Sequence, residues 1–290
     1  AQIMMLSLEE SVVRPRATII PMTRETVAIP TVRDTSHAST VHGGVRAYWT
    51  PENTASTASE PSFAQARLNA EKLAGHTQLS MELNEDTAIS VEALLTQMYG
   101  GAVAFFEDDA FIAGTGAGQP TGILNAAVLV TVAKETGQAA NTIVWENIVK
   151  MWARMLPQSM GSAVWVANND TIPQLATMSL SVGTGGSAIW LQNGQGALPT
   201  TLLGRPIVYT EKAETLGTAG DIYLCDFRQY LIGDRRSLMI SNSPHFAFTS
   251  DQMTWKFTHR VAGRPWMDSA LTPRNGTNTL TPFVNLATRA

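Results

Sequence analysis

Phe111-Ile112-Ala113-Gly114-Thr115-Gly116-Ala117-Gly118-Gln119-Pro120-Thr121-Gly122-Ile123-Leu124 runs from an apolar helix end through a glycine-rich turn and back into apolar sequence. Upstream, Val91, Leu94, Leu95, Met98, Ala102, Phe105, Phe106 and Ile112 recur at three- and four-residue steps, which predicts an amphipathic helix over residues 87–112. Glu85 and Asp86 stand where the helix dipole favours negative charge, and Gly114 follows the last turn as a helix-ending glycine does. At 1.5 Å per residue the helix is roughly 40 Å long. Gly100-Gly101 in its middle costs about 1 kcal/mol per glycine against alanine, a pattern that points to close backbone approach.

Two segments invite a chemical reading and fail it. Gly114-Thr115-Gly116-Ala117-Gly118 has the outline of a phosphate cradle, but no Gly-Lys-Ser/Thr follows and the loop trails a helix where a nucleotide loop precedes one. It reads as a tight turn. Glu107-Asp108-Asp109 is a run of carboxylates, yet consecutive helix positions diverge and cannot converge on one substrate. It reads as a solvated or intersubunit face. Neither a Gly-x-Ser-x-Gly elbow nor a His-Glu-x-x-His helix occurs. The five histidines lack metal-ligand spacing, with His37 and His42 in a Ser/Thr/Gly-rich stretch. The single cysteine, Cys225, lies in an apolar run and reads as a small core residue. The expectation is a chain with no catalytic, cofactor or metal residues.

Composition favours association. Hydrophobic residues make up 44% and charged residues 15%, against roughly 25% charged in ordinary soluble domains. A charge-poor surface has little to hold copies apart. Net charge is −4 and no run of five basic residues occurs, the densest group being Arg235-Arg236. Contacts with DNA are therefore expected to be weak, local and independent of sequence. No apolar run of about 18 residues is present, so no membrane-spanning helix is expected.

Residues 1–43 carry Pro15, Pro21 and Pro30 among β-branched residues and read as an extended arm or edge strand. Val45-Arg46-Ala47-Tyr48-Trp49 reads as a strand, residues 50–62 as a polar tip without a core residue, and residues 63–79 as the returning strand of a long projecting hairpin. Such a hairpin needs a partner to lie on. Residues 146–156 form a second helix stopped by Pro157, and residues 163–167 a buried strand, followed by a helix near 172–179 and a Gly/Ser-rich loop over 181–200. Residues 206–210, 222–227 and 230–232 read as strands, and the alternation of Met253, Trp255 and Phe257 with polar neighbours marks another with one buried face. Trp145, Trp152 and Trp165 are assigned to the core. The class is α+β.

The stretch quoted first resembles the HK97-type capsid family, where a spine helix ends in a loop of the form Gly-x-Gly-x-x-x-Pro-x-Gly-Ile-Leu. In the family's order follow Ala163-Val164-Trp165-Val166-Ala167-Asn168, Leu203-Gly204-Arg205-Pro206-Ile207-Val208, residues 226–235 and Phe257-Thr258-His259-Arg260-Val261-Ala262-Gly263-Arg264. The resemblance covers roughly residues 44–271.

It implies a major capsid protein of a tailed bacteriophage that assembles with itself into pentamers and hexamers, encloses double-stranded DNA and catalyses nothing. Residues 1–43 would be the N-arm and 44–79 the extended loop. Residues 80–161 and 251–290 would form the peripheral domain, with its spine helix at 87–112, and residues 162–250 the axial domain. Intersubunit contact is expected at Trp49, Pro51, Asn53, Glu60, Pro61, Phe63, Gly114, Gly116, Gly118, Pro120, Arg235 and Arg236. Portal and scaffolding proteins, and a decoration protein, are the further partners implied, and the virion, assembled in the host cytoplasm, the location. The start at Ala1 fits the family's proteolytic removal of a scaffolding segment. The alternative is an encapsulin-like nanocompartment holding enzyme cargo, against which the proline-rich start argues. The family's self-crosslinking member joins a loop-tip Lys to an Asn of a neighbour. Here residues 47–66 contain no Lys, Glu60 stands near the expected position, and residues 251–271 contain neither Asn nor Glu, so no such bond is expected.

Overall fold

The computed structural model describes residues 8–82, 91–182, 185–188 and 200–289. In chain order the strands begin β1 (Thr18–Pro21), β2 (Thr26–Val32), β3 (Phe63–Asn69), β4 (Glu71–Ser80), β5 (Val130–Val132) and β6 (Val164–Ala167). They continue with β7 (Ser179–Val182), β8 (Gly185–Ala188), β9 (Thr201–Leu202) and β10 (Arg205–Tyr209). The last are β11 (Ile222–Cys225), β12 (Tyr230–Ala247), β13 (Gln252–Pro265) and β14 (Phe283–Leu286). The helices are α1 (Val91–Ala113), α2 (Trp145–Ala153) and α3 (Ile172–Ala176). This is the mixed α+β class expected.

The chain gathers into two compact units, one of residues 1–27, 68–122 and 231–264, the other of residues 28–67, 123–230 and 265–290. The expected peripheral domain joined residues 80–161 with 251–290, whereas 123–161 and 265–290 fall in the other compact unit. Strand pairing explains the difference: β14 and β5 join β11 and β6 in one sheet, which takes both segments out of the α1 unit.

In the first unit the sheet order is β1-β12-β13-β4. β1 runs parallel to β12, and β13 pairs antiparallel with β4 from Gln252↔Ser80 to Val261↔Glu71. Residues two apart on a strand share a face, so Trp255 and Phe257 meet α1 from alternating positions of β13. Val91, Leu95 and Tyr99 bury against Trp255, flanked by Leu79, Leu238, Ile240, Met253 and Phe257. The Tyr99 and Phe257 rings lie 4.7 Å apart.

The helix is where expected over its described part, and residues 87–90 lie outside the described residues. Its buried face keeps Val91, Leu95 and Ile112 of the expected set but not the rest. The ridge Val91, Leu95, Tyr99, Val103 and Glu107 faces inward, while Met98 and Phe106 are about half exposed. Gly100 faces open space, while at Gly101 the Leu8 side chain comes within 3.1 Å of where a Cβ would sit, so the close approach expected at the pair is made at Gly101 by a side chain and not by backbone.

In the second unit the order is β5-β14-β11-β6-β10-β9. Its core combines α2 (Ile148, Met151) with Trp165, Leu175, Ile222, Leu224 and Val284, and Trp145 and Trp152 pack partly buried against it. The Trp165 indole N–H donates to the Leu202 carbonyl at 2.9 Å, which satisfies the one polar atom of a fully buried ring. Cys225 is fully buried and its thiol pKa lies well above the ordinary value through burial and the charge of Asp226. Near the C-terminus the Arg289 guanidinium pairs with Asp221, both wholly buried.

Three local expectations change. Val45 forms only a bridge to Val41 and residues 46–50 are not a strand; the returning strand β3 pairs with β2 instead. The expected loop 181–200 begins with the β7–β8 hairpin, while residues 183–184 and 189–199 lie outside the described residues. The helix near 172–179 ends at Ala176, because β7 starts at Ser179.

Candidate assembly site

The loop of residues 44–62 is closed at its base and bare beyond it. The Ser62 N–H donates to the Gly43 carbonyl at 2.8 Å, and the Arg46 N–H to Ser59 Oγ at 3.2 Å. Gly43 has φ +73°, and a Cβ there would press on the Arg33 and Ser62 carbonyls at 2.9 Å, so only glycine closes this base without strain. Residues 45–63 are exposed without exception. They include Trp49, Pro51, Asn53, Glu60, Pro61 and Phe63, with Trp49 wholly exposed and Phe63 73% exposed. The Arg46 guanidinium lies over the Tyr48 ring at 4.7 Å. Bare aromatics on a segment without a core mark a surface that another molecule covers.

The glycine turn after α1 is a packing device. The Gly114 N–H caps the helix on the Ala110 carbonyl at 2.9 Å, the Gly122 N–H donates to the Gly114 carbonyl at 2.8 Å, and the Thr121 N–H reaches the Gly263 carbonyl at 2.8 Å. A Cβ on Gly114 would overlap the carbonyls of Ala110 and Pro120, and one on Gly122 would overlap the Gly114 amide. Gly116 and Gly118 hold left-handed φ of +79° and +71° and are exposed. Gly114 and Pro120, two of the expected contact residues, are buried in the turn.

The carboxylate run at the end of α1, expected as a solvated or intersubunit face, is solvated only at Asp109. Asp109 is exposed, but Glu107 and Asp108 are buried at 6% and 1% exposure, because each has a partner from the start of the chain. The Asp108 carboxylate accepts from the Val12 N–H at 3.0 Å, the Val13 N–H at 2.8 Å and the Ser11 hydroxyl at 2.8 Å. Arg14 donates through Nε to Glu107 at 3.0 Å and through both terminal nitrogens to Asp234 at 2.8 and 2.9 Å. His259 Nε2 lies 3.6 Å from Glu107. The divergence that rules out shared catalysis lets two adjacent carboxylates hold different partners, Asp108 the backbone amides of Val12 and Val13 and Glu107 the Arg14 side chain.

Electrostatics follow from this clasp. Burial pushes the Glu107 carboxyl up against the opposing pull of Arg14. The hydrogen bond from Arg14 holds Asp234 below the usual carboxylate range, and burial, with the Arg14 charge, lowers His259. Glu107, Asp234 and His259 offer ligand atoms within 4.8 Å of one another. Arg14 already occupies the carboxylate oxygens and supplies the positive charge, so the group is a closure of the fold and not a metal centre. Nothing local marks Arg14 or His259 as partners of Glu107, since each lies far from it in the chain. Arg236 is exposed and Arg235 half-buried; both border a cavity of about 380 Å³ beside the clasp.

The model of the phage capsid family matches residues 1–275. The chain belongs to the phage capsid family. No curated protein matches this capsid protein. Among solved structures it resembles the capsid of a native GTA particle at 19% identity and TM-score 0.81, covering 99% of this chain and 93% of that one. A chain from Microbacterium phage Oxtober96 follows at 14% identity and TM-score 0.70, with 99% and 93% covered. The mature capsid of bacteriophage PhiM1 aligns at 11% and 0.62, with 96% and 91% covered. The fold is HK97-like, and this capsid protein is a structural, shell-forming component of the virion. The nanocompartment alternative is not favoured.

Proposed function

We propose that this capsid protein is the major shell subunit of a tailed bacteriophage, closing as pentamers and hexamers around double-stranded DNA after assembly in the host cytoplasm. The observation that carries the reading is the loop of residues 45–63, exposed throughout and tipped by Trp49. A single chain gains nothing from such a loop, whereas a closed array of copies buries it at each repeat. Residues 44–79 then act as the extended loop laid on a neighbour, the α1 unit as the peripheral domain and the six-stranded-sheet unit as the axial domain. Many modest contacts used together give the shell its strength.

DNA is held by confinement and by weak contacts, with Arg235 and Arg236 the densest basic pair. Portal, scaffolding and decoration proteins complete the particle. Co-expression with a scaffolding protein, followed by cryo-electron microscopy, tests the reading. Closed icosahedral shells with five- and six-fold capsomers support it, and a stable monomer or an open filament under all conditions overturns it.

A further inference from the structure

The face of the first unit's sheet turned away from α1 carries charge of one sign. Trp255 and Phe257 of β13 meet α1. The even positions from Thr254 to Arg260, and their register partners from Gln78 back to Lys72 on β4, therefore point the other way. Lys72, Lys256 and Arg260 stand at these positions and no carboxylate does. Among the described residues their one ion pair joins Arg260 to Glu25 at 3.0 Å, and Glu25 comes from outside the sheet. In a chain of net charge −4 this is a local reversal of sign.

A cavity of about 300 Å³ opens here, bordered by Ala74, Gly75, His76, Phe246, Thr254 and Lys256. The Phe246 ring meets His76 edge-on at 6.2 Å. Thr254 is only 8% exposed, yet its hydroxyl has no hydrogen-bond partner among the described residues. Among those residues the large apolar side chains that are 72% exposed or more are Trp49, Phe63 and Phe246. Two of them belong to the loop of residues 45–63 and the third to this cavity. The loop carries Glu52 and Glu60 against a single cation, Arg46, which lies over Tyr48.

We propose that Trp49 of one copy seats in the cavity between His76, Phe246 and Lys256 of a neighbouring copy, with Glu52 and Glu60 set against the basic face around it. This deepens, and rests on, the reading of residues 44–79 as a loop laid on a neighbour. An indole in the cavity packs on the Phe246 ring and offers its own face to the Lys256 ammonium. Its N–H finds an acceptor in the Thr254 hydroxyl. The acidic loop and the basic sheet face attract each other, while two loops or two such faces repel. Each copy gives one loop and receives one, a head-to-tail contact that closes when repeated around an axis.

Disulfide trapping in assembled particles tests this, because Cys225, the chain's one cysteine, is fully buried. Oxidised particles of the Trp49→Cys, Phe246→Cys variant should give a ladder of covalent oligomers on a non-reducing denaturing gel, collapsing to monomer on reduction. The Trp49→Cys, Met98→Cys variant, with its second thiol on α1, should stay monomeric. Closed shells of the first variant without a ladder overturn the seat and leave the loop reading standing, as does a ladder from the second variant alone. An unaltered chain that forms no shells overturns both. Amine labelling of the unaltered chain needs no variant to assemble. Lys256 should react roughly five-fold slower in particles, full or empty, than in dissociated subunits, because an interface core excludes solvent. Equal rates overturn the proposal, and so does protection confined to DNA-filled particles, which gives the basic face to the genome.

Discussion

Arg14 Nε donates to the Glu107 carboxylate at 3.0 Å across 93 residues of sequence, and the same guanidinium grips Asp234 on β12. One side chain thus ties the start of the chain to the spine helix and to a sheet strand. Arg14→Ala leaves a buried carboxylate without its counter-charge. Breaking a fully buried pair costs about 3–5 kcal/mol, and because Arg14 keeps 30% of its side chain exposed, about 3 kcal/mol is expected. Denaturant unfolding of dissociated subunits measures it; a loss under 1 kcal/mol would show the clasp to be incidental.

The same cluster sets a pH dependence of mixed sign. His259 is depressed in the fold, so its contribution is full above the unfolded value near 6.5 and is lost as pH falls toward the folded value. Glu107 is raised, so it acts oppositely: acidification through the range above 4.5 favours the fold. Asp234 is lowered, and its contribution disappears only as pH drops below 3.8. His259→Gln should therefore flatten the stability loss between pH 7 and 5. Glu107→Gln should steepen it, provided the variant still folds. Melting temperature against pH in the two variants reads both slopes, and parallel profiles contradict the assignment.

Glycines in and after α1 should respond in opposite directions. Gly114→Ala or Gly122→Ala drives a methyl into backbone and costs about 1–3 kcal/mol. Gly100→Ala meets open space and gains about 1 kcal/mol of helix propensity. Thermal unfolding of the isolated subunit separates them. Should Gly100→Ala nonetheless reduce particle yield, a neighbouring copy must approach the helix there.

Deleting residues 53–59 should leave both units folded, since none of these residues is buried, while stable shells fail to form. Circular dichroism and sedimentation velocity report the two halves of this expectation. Normal particles from the deletion would remove the loop from the assembly mechanism.

Boiling particles in SDS should release one band near 31.2 kDa. The loop tip carries Glu60 where a crosslink needs an amine, and Lys72 lies on β4, beyond the returning strand β3. A ladder of isopeptide-linked oligomers would contradict this.

Much of the fold was legible because its signals are local. The alternation around Trp255, the apolar runs of β6 and β11 and the helix period need only neighbours in sequence. The face of α1 was only partly read, because apolar residues occupy two sides of it and periodicity does not rank them; a sheet and a distant segment decide. Glu107 and Asp108 were misread for the same reason, as no local signal tells a carboxylate that its partners lie at residues 11–14. Residues 45–49 have strand composition, but a strand needs a partner, and β3 is taken by β2. The loop itself was legible, since the absence of core residues is visible in composition.

β14 is an inner strand, between β5 and β11, and it is made of residues 283–286. That sheet cannot close until residues 283–286 have left the ribosome. β12 and β13 likewise come after residue 229, so the α1 unit also waits for late-translated sequence. Folding of both units thereby waits on segments far apart in the chain, in the manner of topologies rich in distant pairings. A product cut short before β14 exposes the bare edges of β5 and β11, which marks it for proteolysis before it can enter a growing particle and leave a defect there.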